Sequence, residues 1–354
     1  MTLMARSCFP KGRKQNRQIV LVEPYGLGDV VSIQPLVGFL SGHGWKIHIV
    51  AQDRWKPVLE NIDITWAGVS GSWATMGLLA FFKTCLRLRK EIPRGAVGID
   101  PRGDIRTLFL FALAGCRKVY SLDHYLGTDR WIPAVLAELI PDRADVLQRW
   151  EITKGFAEAI ESPVPSWPKP HLNHLANPVI PQDPRRIGII PVAPWKGKHW
   201  KSSCWATLIG LLKNKGFEPI LIFGPGQRDE AIFATAESQV ECAEAENVRE
   251  LVDVLQSCRA IVTLDTGPMH VASALNIPTV ALFGSGQLPL WGPFSDQSAV
   301  IVSKDFPKMS IHQTQQNVAI GEKSMGDISV DVVCNAFFSL LSSTASTENK
   351  FYLS

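Results

Sequence analysis

Residues 261–272 read Ile-Val-Thr-Leu-Asp-Thr-Gly-Pro-Met-His-Val-Ala, and this stretch decides the class of fold. An apolar strand ends in Asp-Thr-Gly, and Pro268 then stands in the first turn of a helix, where proline is favoured. The free N–H groups of such a helix start, with the positive end of the helix dipole, form a site for an anion. Gly267 allows close approach to the backbone, and Thr266 adds a hydroxyl donor. The alternative is a plain strand-to-helix turn with Asp265 or Thr266 as its cap.

Strands and helices alternate along nearly the whole chain, which predicts an α/β protein with parallel sheets. In the first half, strands are predicted at 19–22, 46–51, 62–66, 96–100 and 118–122, and helices at 30–40, 74–91, 104–115, 131–139 and 143–161. In the second half, strands are predicted at 187–192, 219–223, 260–264 and 279–283, and helices at 205–214, 229–236, 248–257, 268–275 and 329–342.

Seven prolines between residues 163 and 184 divide the chain. No helix survives that density and a central strand is disfavoured, so this segment is predicted to be a linker. It separates a Rossmann-like domain at 18–162, preceded by a flexible basic arm at 1–17, from a second at 185–354 that ends in a helix at about 329–342. Parallel sheets bind ligands beyond the carboxyl ends of their strands, so two facing domains predict a cleft. A proline-rich loop within a single domain is the alternative.

Composition and charge exclude several classes of protein. The 354 residues are 46% hydrophobic and 19% charged, enough for a sizeable core, so a disordered or fibrous protein is excluded. The net charge is +3, but the first 17 residues hold five basic residues and no acid, which leaves 31 basic against 33 acidic residues elsewhere. A slightly acidic body disfavours nucleic-acid binding. The odd number of cysteines, seven, without a Cys-x-x-Cys pair predicts reduced thiols in a cytoplasmic protein rather than disulfides or a zinc site.

The chain has no apolar segment of membrane-spanning length. The N-terminus lacks a stretch of signal-peptide length, and the longest apolar runs, such as 107–116, are far below the ~20 residues that span a bilayer. We therefore expect a soluble protein, or at most a peripheral one.

A second strand-to-helix turn, Gly26-Leu-Gly-Asp, follows the first apolar strand. Asp29 lies near the helix start, where the dipole favours an ionised carboxylate, and an ionised aspartate can act as a general base toward an acceptor hydroxyl. One alternative is that Asp29 merely caps the helix. Another is a dinucleotide site, for which Asp53 lies at a plausible distance, but position 31 is valine where the third glycine is required.

Two groups of basic residues are further candidates. Lys196 and Lys198 lie in the loop after the first strand of the second half, where lysines are predicted to face a ligand at the sheet edge and to hold a diphosphate as point charges, with a solvated loop as the alternative. Residues spaced by 4, 3 and 4 positions share one helical face: Lys83, Arg87, Lys90 and Arg94. Pro93 disfavours a helix as far as the last of them. With Arg102 and Arg106 they are predicted to form a basic rim for an anionic acceptor or a membrane surface, with a solvated face as the alternative.

Four blocks of the sequence resemble glycosyltransferase family 9, the ADP-heptose:lipopolysaccharide heptosyltransferases and their relatives. They are Gly26-Leu-Gly-Asp-Val-Val, Gly98-Ile-Asp-Pro-Arg-Gly-Asp-Ile-Arg, Lys198-His-Trp, and Asp265-Thr-Gly-Pro-Met-His-Val-Ala-Ser-Ala-Leu-Asn-Ile-Pro-Thr-Val-Ala-Leu-Phe-Gly. The segment Met325-Gly-Asp-Ile-Ser-Val-Asp-Val-Val is similar to the last helix of that family, so the resemblance covers about 18–342. Ala193-Pro-Trp replaces the small hydroxyl residues that often precede the lysine, which indicates a divergent member.

The resemblance implies a GT-B fold, with the acceptor on the N-terminal domain and the nucleotide sugar on the C-terminal domain. It implies an inverting transfer without metal or cofactor, in which Asp29 matches the catalytic base, Lys198 the lysine at the donor phosphates and Asp265 the carboxylate on the donor sugar. The residues that match the phosphate-binding turn are Thr266, Gly267, Met269 and His270. The candidates on the acceptor side are Gly28, Lys83, Arg87, Lys90, Arg102 and Arg106.

The expected partners follow from this resemblance. They are a nucleotide-sugar donor, expected to be ADP-heptose, and a lipid-linked or glycan acceptor such as the lipopolysaccharide core. The expected location is the cytoplasm, with peripheral contact at the cytoplasmic face of the inner membrane. Two alternatives stay open: a sugar-nucleotide 2-epimerase-like enzyme of the same fold, and a non-catalytic nucleotide-sugar-binding protein. Retention of both Asp29 and Asp265 argues against the second.

Overall fold

The computed structural model describes residues 17–71, 73, 76–123, 136–143, 146–236, 239–307, 316–342 and 350–353. They form two parallel β-sheets flanked by helices, as the alternation of strands and helices predicts. The predicted basic arm lies outside the described residues except for Arg17.

The first sheet belongs to the N-terminal half. Its strands are β1 (Gln18–Glu23), β2 (Lys46–Gln52), β3 (Ile64–Val69), β4 (Val97–Asp100), β5 (Lys118–Leu122) and β6 (Glu138–Ile140). Its helices are α1 (Leu27–Gly42), α2 (Leu78–Glu91), α3 (Ile105–Ala114), α4 (Arg149–Ile152) and α5 (Lys154–Ile160). The strand order is β3-β2-β1-β4-β5-β6, so the direction of winding reverses between β1 and β4.

The second sheet repeats this winding in the C-terminal half. Its strands are β7 (Asp183–Ile190), β8 (Glu218–Phe223), β9 (Glu241–Glu244), β10 (Cys258–Leu264), β11 (Thr279–Phe283), β12 (Ser298–Val302) and β13 (Lys350–Leu353). Its helices are α6 (Ser202–Asn214), α7 (Arg228–Thr235), α8 (Val248–Ser257), α9 (Gly267–Ala274), α10 (Val318–Gly326) and α11 (Val330–Ser342). The order is β13-β12-β11-β10-β7-β8-β9, with the reversal between β7 and β10.

Helices cover both faces of the central strands. Residues 19–22 of β1 and 260–264 of β10 are almost wholly buried, because every side chain of a covered parallel strand meets a helix on one face or the other. Gly98 in β4 shows how closely α3 packs, since a Cβ atom there would lie 2.9 Å from the ring of Phe111. The burial explains why these strands are continuous apolar runs in the sequence.

Several predicted elements differ from the structure. Residues 138–140 form the edge strand β6 rather than the end of a helix, and 131–135 lie outside the described residues. The helix predicted at 143–161 begins only at Arg149, because the N–H of Gln148 is capped by Glu151 Oε2 at 2.7 Å. Four elements of the structure have no counterpart among the predicted ones: β9, β12, β13 and α10.

The proline-rich segment forms hydrogen bonds with both halves. No helix or strand occurs from 161 to 182, all of which the structure describes, and β7 begins at Asp183 within the predicted linker. Gln34 of α1 exchanges two hydrogen bonds with the backbone of His171, at 2.6 and 2.9 Å. The N–H of Leu172 donates to the carbonyl of Ala274, at the end of α9, at 3.1 Å. Both halves therefore share one continuous hydrophobic cluster in which α1 packs on α9.

Among the described residues, no single helix is both long and apolar enough to cross a membrane. In the part of the chain that the structure describes, one helix pair reaches that length and composition together, α10 with α11, and it is bent by 67° at its break.

Candidate active site

Asp29 and Arg102 meet at the point where the winding of the first sheet reverses. Asp29 lies in the first turn of α1, after β1, and Arg102 lies in the loop after β4. The guanidinium of Arg102 pairs with Asp29 Oδ1, and each side chain is only 13% exposed. Asp29 Oδ2 accepts a hydrogen bond from the N–H of Gly26 at 2.9 Å, so the residue also caps the helix. Both carboxylate oxygens of the predicted base are therefore engaged.

Asp100, the last residue of β4, fixes the loop that carries Arg102. Its fully buried carboxylate accepts hydrogen bonds from the N–H of Arg102 at 3.1 Å, from the N–H of Asp104 at 2.8 Å and from the hydroxyl of Ser121 at 2.9 Å. Burial raises the pKa of Asp100 to about 6, against the lowering effect of these bonds. The backbone at residues 101–104 is thus held in place, whereas the guanidinium of Arg102 extends from it toward Asp29.

A second buried acid lies beside Asp29. Glu23 ends β1 and has no solvent exposure, and its Oε2 lies 3.1 Å from the guanidinium of Arg149. Its Oε1 has no hydrogen-bond partner in the part of the chain that the structure describes. Burial, with repulsion from Asp29, raises the pKa of Glu23 to about 8, although Arg149 and Arg102 oppose this. Glu23 is consequently protonated at neutral pH.

Neither Glu23 nor Arg149 is among the site residues predicted from the sequence. A signal for Glu23 was available, since an acid directly after four apolar residues ends a buried strand at the ligand-binding edge of the sheet. Arg149 gave no such signal, because it is 126 positions away in the sequence.

Lys198 and Asp265 form the corresponding pair at the reversal point of the second sheet. Lys198 lies in a short 3-10 turn after β7, and Asp265 directly follows β10. The ammonium pairs with Asp265 Oδ2 and lies 3.3 Å from its carbonyl, with the two side chains 12% and 9% exposed. The ring of Trp195 lies 4.8 Å from the same ammonium. The lysine is thus held over the start of α9, where the sequence predicts an anion site.

The first turn of α9 contains the predicted phosphate-binding residues. Thr266 is the N-cap residue but makes no side-chain cap bond, and its hydroxyl lies 3.4 Å from the carbonyl of Leu264. Gly267 lies at the contact between the halves, where a Cβ atom would lie 3.1 Å from Leu27 Cβ of α1. The side chain of Met269 is wholly buried in a cluster with Phe283, so only its backbone faces the turn. The predicted role of Met269 is thereby restricted to its main chain.

His270 lies at the contact between α9 and α1. A Cβ atom at Gly28 would overlap the imidazole ring, so the glycine at that position permits the contact. The ring of Phe294 stacks on the imidazole at 6.4 Å, and the ring of Trp291 meets it edge-on at 6.2 Å. Burial lowers the pKa of His270, which is therefore neutral at neutral pH.

The predicted basic rim is divided in the structure. Lys83 and Lys90 are exposed on α2, but Arg87 pairs with Glu91 at 2.7 Å and also donates to a backbone carbonyl. Arg102 points into the cleft toward Asp29 and so does not join the exposed face. The two remaining arginines lie apart from the helix face: Arg94 follows the end of α2, and Arg106 pairs with Asp104 at 3.0 Å.

The loop after β11 adds residues that the sequence analysis did not select. A Cβ atom at Gly286 would lie 3.7 Å from Asp265 Oδ2, so this loop borders the Lys198–Asp265 pair. The hydroxyl of Ser285 is buried without a partner among the described residues. Within those residues, no group of three or more His, Cys, Asp or Glu side chains is arranged to hold a metal ion.

Comparison with known proteins gives a consistent family. A family model described as glycosyltransferase family 9 (heptosyltransferase) matches residues 154–319. Lipopolysaccharide heptosyltransferase 1 of Pseudomonas aeruginosa is 30% identical over 327 residues, which cover 82% of this chain and 84% of that protein. Lipopolysaccharide heptosyltransferase 2 of Salmonella typhimurium is 33% identical over 166 residues, 44% of this chain and 47% of that protein. The match with this second relative thus spans about half of its length.

The fold is also found among solved structures. The heptosyltransferase WaaC of E. coli, solved with ADP, superposes with a TM-score of 0.70 at 17% identity, over 91% of this chain and 99% of that chain. This likeness confirms the predicted GT-B fold, in which two parallel sheets with flanking helices face each other.

Proposed function

Because the chain belongs to glycosyltransferase family 9, we propose that it transfers heptose from ADP-heptose to a lipopolysaccharide-core or related glycan acceptor. The observation that carries this proposal is the meeting of two charged pairs across one cleft. Asp29–Arg102 lies at the reversal point of the first sheet and Lys198–Asp265 at that of the second. Contact of α1 with α9 brings the two reversal points together. In open parallel sheets, ligands bind at such points.

The donor occupies the C-terminal half in this proposal, with the domains divided at the proline-rich segment 163–184. The diphosphate rests on the first N–H groups of α9 and on the ammonium of Lys198. Asp265 then exchanges its ion pair with Lys198 for hydrogen bonds to hydroxyls of the sugar. Compensation of the phosphate charge by the helix start and the lysine stabilises the leaving nucleoside diphosphate without a metal ion.

The acceptor occupies the N-terminal half, with Asp29 as the base. Its carboxylate takes the proton of the acceptor hydroxyl while the oxygen bonds to the anomeric carbon from the face opposite the diphosphate. The bond from that carbon to the phosphate oxygen breaks, and the electron pair leaves with ADP. The configuration at the anomeric carbon inverts. Closure of the cleft, in which Leu27 meets Gly267, excludes water that would otherwise hydrolyse the donor.

Peripheral membrane contact is part of the proposal, and an exposed apolar surface supports it. We name this surface the α2–α3 patch; its side chains, between 40% and 76% exposed, are Leu78, Leu79, Phe82, Leu86 and Phe109. The rings of Phe82 and Phe109 pack at 5.4 Å, which joins the two helices into one surface. Leu79 and Leu86 are seven residues apart and so lie on the same side of α2. Lys83 and Lys90 have the same spacing and lie along the side next to them. Apolar side chains beside lysines suit an anionic lipid surface at the cytoplasmic face of the inner membrane.

The test is product formation by the purified chain with ADP-heptose and a deacylated lipopolysaccharide core oligosaccharide. We expect one heptose to be added, with the opposite anomeric configuration by NMR, at a rate that EDTA does not change. UDP-sugars serve as the control and should neither react nor raise the melting temperature as ADP-heptose does. Donor binding without transfer to any core oligosaccharide would support the non-catalytic alternative, and strong inhibition by EDTA would refute a reaction without metal.

A further inference from the structure

The predicted base is occupied by a side chain of the protein itself. Asp29 Oδ1 is paired with Arg102, and Oδ2 accepts from the N–H of Gly26. A carboxylate oxygen that accepts a charge-assisted hydrogen bond from a guanidinium is less available to take up a proton. The bond to Gly26 belongs to the cap of α1 and remains as long as the helix does. The bond from Arg102 comes from a side chain outside the helix, so its loss leaves the cap of α1 in place.

Arg102 is built to change partner without leaving the cleft. Its backbone is fixed by Asp100, as described above. Its guanidinium lies 4.2 Å from the ring of Tyr25 and 6.0 Å from that of Trp291, which comes from the C-terminal half. Among the described residues, Asp29 is the single hydrogen-bond partner of its side chain. A guanidinium has five N–H donors, so most of its donors stay available for a second anion.

We propose that Arg102 restrains Asp29 until an anionic group of the acceptor takes over the guanidinium. The inference rests on the proposed function and defines its acceptor class: a glycan with a carboxylate or a phosphate beside the hydroxyl that is glycosylated. The planar guanidinium binds such a group through two parallel hydrogen bonds, whereas Asp29 offers it one oxygen. Release of Oδ1 makes the base available only when an acceptor is present, which protects the donor from water.

The first experiment measures acceptor binding, which needs no turnover. Isothermal titration calorimetry with the deacylated core oligosaccharide compares the wild type with Asp29→Asn, Arg102→Gln and the double variant. Asp29→Asn removes the competitor for Arg102, so we expect a severalfold lower Kd for the oligosaccharide, and a higher Kd in both variants that lack Arg102. An unchanged or higher Kd in Asp29→Asn overturns the inference, as does a lower Kd that persists in the double variant.

The second experiment measures hydrolysis of the donor in the absence of acceptor. Without acceptor, Arg102→Gln should hydrolyse ADP-heptose severalfold faster than the wild type, because Asp29 is free to activate water. Its KM for the acceptor should rise at least tenfold while its KM for the donor stays the same. If hydrolysis falls together with transfer, Arg102 merely holds Asp29 in position. Arg185→Gln is the matched control, since Arg185 forms an exposed ion pair with Glu218 far from the cleft.

Two modified oligosaccharides identify the anion. If the guanidinium takes a carboxylate, reduction of the carboxylates abolishes the gain in affinity of Asp29→Asn, and if it takes a phosphate, phosphatase treatment does so. A gain that survives both treatments refutes an anionic partner. A wild-type chain that neither binds the oligosaccharide nor transfers heptose refutes the proposed function itself, whereas normal transfer without any gain in Asp29→Asn refutes only the role of Arg102.

Discussion

Among single residues, the cleft contains two ion pairs and one buried acid that lies beside an arginine. Asp29 faces Arg102, Asp265 faces Lys198, and the protonated Glu23 lies beside Arg149. The two ion pairs are largely withdrawn from water, so loss of one partner leaves a buried charge that costs several kcal/mol. Variants of these residues therefore need a measurement of folding beside each measurement of activity.

The roles proposed for Asp29 and Lys198 predict different defects, one in the rate of transfer and the other in donor binding. Asp29→Ala should lower the rate of transfer by about a hundredfold or more, as expected for loss of a general base, and leave the Kd of the donor within twofold. Lys198→Ala should raise the Kd of the donor by about tenfold or more, as expected for a lost charge-assisted hydrogen bond. Calorimetry with ADP-heptose and single-turnover kinetics separate the two effects, and Lys198→Arg should restore part of the binding. Loss of donor binding in a folded Asp29→Ala protein would contradict the base assignment.

The raised pKa of Glu23 predicts how stability depends on pH. The folded protein holds this proton up to a pH of about 8, whereas the unfolded chain releases it near 4.5. Between these values the folded state binds more protons, so this contribution to stability is complete below 4.5 and is lost as the pH rises to about 8. Glu23→Gln cannot titrate. The melting temperature of this variant relative to that of the wild type should therefore rise across this pH interval and stay constant above it. Glu138→Gln, at an exposed ion pair, is the control, and a constant difference would contradict the assignment.

At the scale of elements, local signals determined most boundaries. The predicted helix at 248–257 and the predicted strand at 279–283 coincide with α8 and β11, because both have clear apolar patterns and strong end signals. The strand β9 was missed since Glu241–Glu244 has acids at both ends and only partial burial. Its pairing with β8 makes it a strand, and that pairing is not encoded in its own four residues.

The α2–α3 patch predicts binding to anionic membranes. The purified chain should sediment with phosphatidylcholine vesicles that contain phosphatidylglycerol, much less with pure phosphatidylcholine, and less as the salt concentration rises. Phe82→Glu and Leu86→Glu should abolish most of this binding, and Lys83→Glu should weaken it. Phe233→Glu is the matched control, since Phe233 is 85% exposed on α7 in the other half. Unchanged sedimentation of the patch variants would refute a lipid-binding surface.

At the scale of the whole molecule, the two halves are joined more tightly than the proline-rich segment alone suggests. One hydrophobic cluster includes residues of both sheets, and Arg249 of α8 pairs with Glu60 of the N-terminal half. The N–H of Arg149 also donates to the carbonyl of Leu290 at 2.9 Å. The side chains that each half contributes to this cluster are buried only when the other half packs against them.

This shared cluster predicts that the chain unfolds in one cooperative transition. The midpoints in urea measured by far-ultraviolet circular dichroism and by tryptophan fluorescence should coincide, because exposure of one half removes the core contacts of the other. Gly28→Val should lower the stability of both halves together, since its side chain would overlap His270 at their contact. Two separate transitions in the wild type would show that the halves are thermodynamically independent.

The α/β class, the positions of most strands and helices, and the two turns that hold Asp29 and Asp265 could all be predicted from the sequence. These features are local, since burial on both faces makes a strand apolar and the turn residues give the helix its start. Which charged side chains pair with one another depends instead on the folded arrangement of the chain. Arg102 lies 73 positions from Asp29, Asp265 lies 67 from Lys198, and Arg149 lies 126 from Glu23. Each pair forms because the fold brings segments that are distant in the sequence together at the carboxyl edge of a sheet, and the pairing of strands is a property of the whole fold.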